Sequence, residues 1–277
     1  MNKKQAFGLT AAAGACGLVL SRLARSSRAI DFLGKSVVIF GGSRGLGLAI
    51  ARQLADEGAR LTLVARDAEE LERARMDLED RGAAAATVVC DIRERAQVDD
   101  AIARVMHEHG AIDVLINDAG IAQAAPVEHM TLADFEDAMA THFWGPLYAI
   151  FAALPLMRRS GARRIVNISS IDAQIAVPHL VPYRAGTFAL TGLSEGLSAE
   201  LACEGFAVTT VNSIAARAPQ IVDACRYGHS ESIITPAVRI AIAMNGISPA
   251  LTAKALTMAH RLMATRRLES GGYPMLR

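Results

Sequence analysis

The sequence has few of the features that mark a disulfide-linked, metal-binding or nucleic-acid-binding protein. Its four cysteines are scattered, without a CxxC pair or a spacing typical of metal ligands, so we predict reduced cysteines and no metal site. The formal net charge is only +1, and residues 31–277 lack the basic surface that nucleic acids bind. We therefore expect no nucleic-acid partner.

Long uncharged runs are also scarce, and the clearest one lies near the N-terminus. Residues 6–20 are largely apolar and are flanked by Lys3 and Lys4 on one side and Arg22 on the other. The run is typical of a signal peptide or of a membrane anchor, although a spanning helix needs ~20 residues. A frayed, alanine-rich leader is the third alternative. We favour a retained anchor with the domain on the cytoplasmic face, and the basic flanks leave its orientation open.

What the sequence does contain is a regular alternation of short apolar strands and helix-length segments. This alternation indicates a doubly wound parallel sheet, so we predict an α/β fold: a Rossmann-like, three-layer α/β/α single domain. The predicted helices include long ones at 131–157 and 183–204, and Asp67 with Glu70 fits a capping box at the start of another. The predicted strands are 37–40, 60–65, 87–90, 113–117, 164–169 and 206–211, with 232–235 as a candidate edge strand.

The 277 residues suffice for one such domain, which we place at residues 31–236. Residues 1–30 form a leader and a linker, which hold five of the 29 basic residues and no acidic one. Residues 237–277 form a C-terminal extension. Its segment 240–262 is apolar enough for one or two helices that pack on the domain or touch a membrane.

The first strand turns through glycines directly into a helix. Backbone N–H groups and the positive helix end meet there, which is the environment that a diphosphate needs. Side chains in place of Gly41, Gly45 and Gly47 would block the phosphates or the helix–sheet contact. Plain tight turns are the alternative, because a glycine-rich turn alone is a weak signal. The predicted cofactor-binding residues of the turn are Gly41, Ser43, Arg44, Gly45, Leu46 and Gly47.

Two arginines indicate which dinucleotide binds. The second strand ends at Arg66, and Arg44 lies within the glycine turn. A free ribose 2′-hydroxyl favours a carboxylate at the end of this strand, whereas a 2′-phosphate favours cations. Two guanidinium groups that converge on one phosphate bind it well, so we predict NADP(H). Two solvated surface arginines are the alternative.

Further motifs follow in an order that is specific to one family. The chain contains Gly41-x-x-x-Gly45-x-Gly47, Asp91, Asn117-x-Ala119-Gly120, Ser170 and Tyr183. Over about residues 36–211 it resembles the short-chain dehydrogenases/reductases of the classical type. The resemblance implies a nicotinamide cofactor, with Asp91 near the adenine and Ile92 among the cofactor-binding residues. It also implies that Asn117, Ala119, Gly120 and Tyr183 belong to the cofactor-binding residues.

The same resemblance implies a catalytic group, of which two members are kept. Tyr183 would exchange a proton with the substrate oxygen, and Ser170 would orient that oxygen through a hydrogen bond. The family's lysine, one helical turn after the tyrosine, is Thr187 here, and its asparagine in the long helix is His142. The alternative is that Ser170 caps a strand end and Tyr183 is a helix-start aromatic residue.

The loss of the lysine is large in energetic terms. Tyrosine ionises near pH 10, so a base that works at pH 7 needs a pKa about three units lower, worth roughly 4 kcal/mol. A nearby ammonium supplies that stabilisation, whereas Thr187 has a hydroxyl and no charge. We expect His142 either to relay a proton in place of the asparagine or to pack beside Trp144.

Two further departures concern the glycine turn and the substrate side. Phe40 stands where the family has a threonine before the first glycine. After the sixth strand, residues 212–220 lead directly into a helix at 221–226, without the Pro-Gly turn and the mobile segment that cover the substrate in the family. We therefore predict a deleted lid, whose loss weakens substrate binding and turnover.

The sequence thus supports three interpretations. The leading one is a membrane-associated, NADP(H)-dependent oxidoreductase that interconverts a carbonyl and an alcohol on a small-molecule substrate by hydride transfer. The second is a degenerate relative that binds NADP(H) without turnover, as a sensor or interaction partner. The third is an unstable, internally deleted relative. By analogy with the family, we expect a homodimer or tetramer that pairs through the long helices containing Phe143 and Leu190.

Overall fold

The computed structural model describes residues 29–122, 124–173, 178–212, 217–233 and 248. Within these residues, seven strands form one sheet in the order β3-β2-β1-β4-β5-β6-β7, and every neighbouring pair is parallel. The strands are β1 Ser36–Phe40, β2 Arg60–Ala65, β3 Ala85–Val89, β4 Val114–Asn117, β5 Arg164–Ser169, β6 Ala207–Asn212 and β7 Glu231–Ile233. The chain therefore winds outwards in both directions from the junction of β1 and β4.

Helices connect the strands and cover both faces of the sheet. The α-helices are α1 Gly45–Asp56, α2 Ala68–Asp80, α3 Arg95–His109, α4 Leu132–Met139, α5 Gly145–Met157, α6 Val181–Leu201 and α7 Ala218–Tyr227. A π-helical turn, Ala140–Trp144, joins α4 to α5. Short 3₁₀ helices span Val127–His129, Ile171–Ala173 and Ala202–Glu204.

Alternate residues of β1 face the two helical layers, as the period of a strand requires. Val37 and Ile39 pack in the core shared with α1, α2 and α7. Val38 and Phe40 pack in the core shared with α3 and α5. All four side chains are at most 1% exposed, so the sheet is buried between two layers. The predicted Rossmann-like, three-layer α/β/α fold is confirmed.

The predicted strands and helices agree with the structure except near their ends and in one long helix. The candidate edge strand is present as β7, which pairs in parallel with β6. The helix predicted at 131–157 is instead divided by the π-helical turn. Pro146 explains the division, because it has no N–H to donate to the carbonyl of His142 one turn earlier. The π-helical turn places His142 and Thr141 in the interior.

The capping box predicted at Asp67 and Glu70 is half formed. The Asp67 side chain accepts a hydrogen bond from the Glu70 N–H at 2.9 Å and so begins α2. The Glu70 carboxylate turns away towards Ser43 and Arg44. A complete capping box forms instead at Thr131 and Asp134, at the start of α4.

Several predictions concern residues that the structure does not describe. Among the described residues, no helix combines the length and apolarity needed to cross a membrane. The predicted anchor at residues 6–20 lies outside them, and so does the extension at 237–277 apart from Ser248. These assignments and the domain boundaries stay predictions. Where the lid was predicted to be deleted, β6 ends at Asn212 and α7 begins at Ala218.

Candidate functional site

A cleft of about 500 Å³ opens at the carboxyl end of the sheet. It lies over the junction of β1 and β4, where the strand order reverses. Ligands of doubly wound sheets bind at this junction. The lining residues come from the ends of β1 to β4 and from the helices that follow: Phe40, Gly41, Ser43, Arg44, Gly45, Leu46, Val64, Ala65, Arg66, Asp67, Glu70, Cys90, Asp91, Ile92, Asp118, Ala119, Gly120, Ile121 and Thr141.

The glycine turn is packed by its own backbone against the turn after β4. Gly41 has a φ of 86°, and a Cβ there would lie 2.6 Å from the Ala119 backbone nitrogen. A Cβ on Gly47 would overlap the Gly41 carbonyl oxygen. Gly45 has open space around it and is required by its φ of 58° alone. The turn therefore brings backbone to the cleft wall, as a diphosphate site requires.

Arg44 and Arg66 both line the β2 end of the cleft, as the NADP(H) prediction requires. The sequence reasoning missed the acidic partner of Arg44 at this place. The Arg44 Nη1 atom lies 3.4 Å from Glu70 Oε1, and Ser43 Oγ donates to Glu70 Oε2 at 3.1 Å. The capping pattern at Asp67 fixes where α2 begins, but it does not show which way the Glu70 side chain turns.

Asp91 and Ile92 line the cleft beyond the end of β3. The Asp91 carboxylate accepts from Arg93 Nη2 at 2.7 Å, and Arg93 also donates to Asp137 at 3.1 Å. The Arg93 side-chain hydrogen bonds hold the pKa of Asp91 below its usual range. Asp91 is therefore an ionised, fixed acceptor in the part of the cleft that the resemblance assigns to adenine.

Asn117 lies beneath the cleft and is not among the described residues that line its wall. It is 2% exposed, and its Nδ2 atom donates to Asn167 Oδ1 at 2.8 Å. Asn167 in turn donates to Ser194 Oγ at 2.9 Å. Next to this series of hydrogen bonds, Ser169 Oγ lies 2.9 Å from Thr191 Oγ1. These bonds join β4, β5 and α6, so Asn117 supports the turn that carries Ala119 and Gly120.

Asp118, the variable position of the Asn117-x-Ala119-Gly120 motif, was passed over by the sequence reasoning. It lines the cleft, and its carboxyl group accepts a hydrogen bond from the Gly47 backbone N–H. Burial raises the pKa of Asp118 to about 7, against the opposing effect of that hydrogen bond. The motif pointed to this place, but the burial that decides its protonation depends on how the two turns pack.

Tyr183 lies in the first turn of α6, next to the cleft. It borders a hollow of about 10 Å³, which is no larger than one water molecule needs. Ile121 lines both the hollow and the cleft, so the two are neighbours. Ser170 directly follows β5 and is 4% exposed. The chain thus brings Tyr183 to the edge of the cleft, with Ser170 at the end of an adjoining strand.

His142 holds Tyr183 and the turn after β4 in place. Its ring meets the Tyr183 ring edge-on, with centroids 4.9 Å apart and an interplanar angle of 89°. Its Nε2 atom lies 2.7 Å from the Ile121 carbonyl oxygen and 3.3 Å from the Ile121 nitrogen. Trp144 contacts Phe143 and Tyr148. His142 is therefore bonded to backbone through Nε2, and burial lowers its pKa and keeps it neutral.

The burial of His142 gives a prediction about stability. Because the folded state lowers the pKa of His142, its contribution is present above pH 6.5 and is lost as the pH falls below that value. We expect His142→Asn to lower the free energy of unfolding by about 2 kcal/mol at pH 8, and by less at pH 5. Urea unfolding at both pH values measures this. His129→Asn, at an exposed histidine, is the control, and equal losses in the two variants would contradict the assignment.

The Thr187 hydroxyl is hydrogen-bonded within its own helix. The residue is 1% exposed, and its hydroxyl donates to the Tyr183 carbonyl oxygen at 3.0 Å, one turn earlier in α6. Threonine commonly satisfies its hydroxyl in this way within a helix. The group that replaces the family's lysine therefore brings neither a charge nor a hydroxyl to the tyrosine side chain.

Comparison with known proteins shows the family to which the chain belongs. Residues 35–223 match the family described as short chain dehydrogenase. Gluconate 5-dehydrogenase of Gluconobacter oxydans is 34% identical over 175 residues, which cover 63% of this chain and 68% of that protein. D-Threitol dehydrogenase of Mycolicibacterium smegmatis is 36% identical over 180 residues, covering 65% and 69%.

Two solved structures agree as well. L-Sorbose reductase of Gluconobacter frateurii, complexed with NADPH and L-sorbose, superposes with a TM-score of 0.63 at 28% identity, covering 66% of this chain and 71% of that one. NAD⁺-bound xylitol dehydrogenase superposes with a TM-score of 0.65 at 25% identity, covering 71% and 78%. The fold, the glycine-turn cleft and these matches agree. The chain belongs to the classical short-chain dehydrogenase/reductase family.

Proposed function

We propose that this protein is an NADP(H)-dependent oxidoreductase that interconverts a carbonyl and an alcohol on a small molecule, with low turnover. The observation that carries the proposal is the joint presence of Arg44 and Arg66 at the β2 end of the cleft. The residues present fit a phosphorylated dinucleotide. The backbone at Gly41 and Gly45 suits the diphosphate, and the two guanidinium groups suit a 2′-phosphate.

The protein's own residues have separate tasks in this reaction. The cofactor, when bound, supplies or accepts the hydride. Ser170 orients the substrate oxygen through its hydroxyl, and Tyr183 moves a proton between that oxygen and its own. His142 positions Tyr183 through the edge-on ring contact. Low turnover follows from Thr187, because the tyrosinate has no ammonium nearby to favour it.

The cofactor assignment is tested by binding alone. We expect Arg66→Gln to weaken NADPH binding relative to NADH by about 10- to 100-fold, the range for a charged hydrogen bond to phosphate. Titration followed by the fluorescence of the reduced nucleotides gives both dissociation constants. Arg73→Gln removes an exposed arginine of α2 outside the cleft and should change neither. An unchanged preference in Arg66→Gln, or no NADPH binding at millimolar concentration, would contradict the assignment.

One observation favours a second function, in which the protein binds NADP(H) without turnover as a sensor or interaction partner. The Thr187 hydroxyl is bonded within its own helix, so the charge that activates the tyrosine has no replacement at this position. Binding of NADPH without consumption of any carbonyl substrate would support this function over the first.

The location and assembly of the protein are further parts of the proposal. We infer that residues 6–20 hold the domain at the cytoplasmic face of a membrane and that α5 and α6 pair between copies. Phe151 on α5 and Phe188 on α6 are 60% and 59% exposed, which supports pairing through these helices. Light scattering of the full chain and of a Phe151→Ser variant measures the assembly.

A further inference from the structure

The β2 end of the cleft contains a carboxylate, that of Glu70, whose negative charge disfavours the 2′-phosphate proposed to bind there. Glu70 Oε1 lies 3.4 Å from Arg44 Nη1, and Glu70 Oε2 accepts from Ser43 Oγ at 3.1 Å. Glu70 thus uses one oxygen for each of two residues of the glycine turn. The Arg44 side chain is 76% exposed and that of Glu70 only 24%, so Glu70 is the more firmly enclosed partner of the pair.

The position of Glu70 is set by the start of α2. Asp67 accepts from the Glu70 N–H at 2.9 Å, which places Glu70 in the first turn of the helix, facing the glycine turn. Its neighbour Glu69 is exposed and does not line the cleft. Besides Glu70, the acidic and basic residues that line the cleft are Arg44, Arg66, Asp67, Asp91 and Asp118.

This arrangement affects the two kinds of nucleotide in opposite ways. A 2′-phosphate carries close to two negative charges near neutral pH. To bind Arg44 it must displace Glu70 or lie beside it, and like charges at such distances repel. A free 2′-hydroxyl can instead donate a hydrogen bond to the Glu70 carboxylate, as ribose hydroxyls do to acidic residues at this end of a dinucleotide cleft.

We propose that Glu70 is a specificity-determining residue that narrows the preference for 2′-phosphorylated nucleotides, because it competes with the 2′-phosphate for Arg44 and Ser43. This inference rests on the proposed function, since it concerns the same cofactor cleft. Glu70 acts against the two arginines. The protein therefore discriminates less strongly between NADP(H) and NAD(H) than it would with Arg44 and Arg66 alone.

The test compares adenosine 2′,5′-bisphosphate with AMP, which differ only in the 2′-phosphate. Calorimetric titration of the full chain gives both dissociation constants and needs no turnover. We expect Glu70→Gln to raise the preference for the bisphosphate about tenfold, the size expected for one charge at a partly exposed site. Glu69→Gln removes the same charge from the same turn of α2 and should leave the preference unchanged.

A double-mutant cycle with Arg44→Gln shows whether Glu70 acts through that arginine. If it does, Glu70→Gln will hardly raise the preference for the bisphosphate when Arg44 is already replaced by glutamine. A preference that is unchanged or lower in a folded Glu70→Gln variant, while the wild type binds both probes, overturns this inference and leaves the proposed function standing. If neither probe binds to the wild type, both the inference and the proposed function are overturned.

Discussion

Replacing Thr187 with lysine will raise carbonyl turnover about 100-fold, if the missing ammonium is what limits the reaction. Position 187 lies one helical turn after Tyr183, so their side chains share a face of α6. A cation there favours the ionised tyrosine by up to about three pKa units. We expect only part of this pKa shift, because position 187 is 1% exposed and a buried ammonium loses hydration.

The measurement is NADPH oxidation against a panel of aldehydes and ketones, with wild type and variant at equal cofactor saturation. Thr187→Met is the matched control, since it adds a flexible side chain of similar length without a charge. Tyr183→Phe in either background should abolish turnover. Activity of the wild type that survives in Tyr183→Phe would show that the tyrosine is not the proton donor.

The second large effect concerns Asp118, whose replacement by asparagine should stabilise the protein at alkaline pH. Burial raises the pKa of Asp118 from 3.8 to about 7. Between these values the folded state holds a proton that the unfolded state releases, so stability falls as the pH rises from about 4 to above 7. The full difference between the two pKa values corresponds to about 4 kcal/mol in the free energy of unfolding. Because the residue is only partly buried at the cleft, we expect about 2 kcal/mol after solvent screening.

Asparagine keeps an oxygen that can accept from the Gly47 N–H and has no charge to desolvate. Urea unfolding at pH 4 and pH 8 should therefore show little difference between Asp118→Asn and the wild type at the lower pH, and a more stable variant at the higher. Asp100→Asn, at an exposed position of α3, is the control. A variant that is less stable than the wild type at pH 8 would show that the Asp118 carboxylate contributes a favourable contact.

The parts of the fold that local pattern decides could be predicted from the sequence. The strands follow from apolar runs between glycine and polar residues, and the glycine turn follows from Gly41 and Gly45. The change from α-helix to π-helix at residues 140–144 depends on one missing N–H, at Pro146. The helical spacing of apolar residues continues on both sides of Pro146, so this spacing alone does not predict the π-helical turn.

The predicted site residues divide in the same way. Arg44, Arg66, Asp91 and Gly120 reach the cleft because they end strands or lie in the turns that follow. The bond between Glu70 and Ser43 joins residues 27 apart in sequence, and that between His142 and Ile121 joins residues 21 apart. Such contacts depend on how separate elements pack, and motif spacing contains no information about side-chain direction.

The hydrogen bonds between β5 and α6 have a consequence for the catalytic pair. Ser170 directly follows β5 and Tyr183 lies in the first turn of α6, so their separation depends on how far the helix is displaced along the strand. A shift by one residue moves a helix 1.5 Å along its axis, which would break the Asn167–Ser194 and Ser169–Thr191 bonds together. The two polar bonds thus fix where α6 lies along β5, and with it the separation of Ser170 and Tyr183.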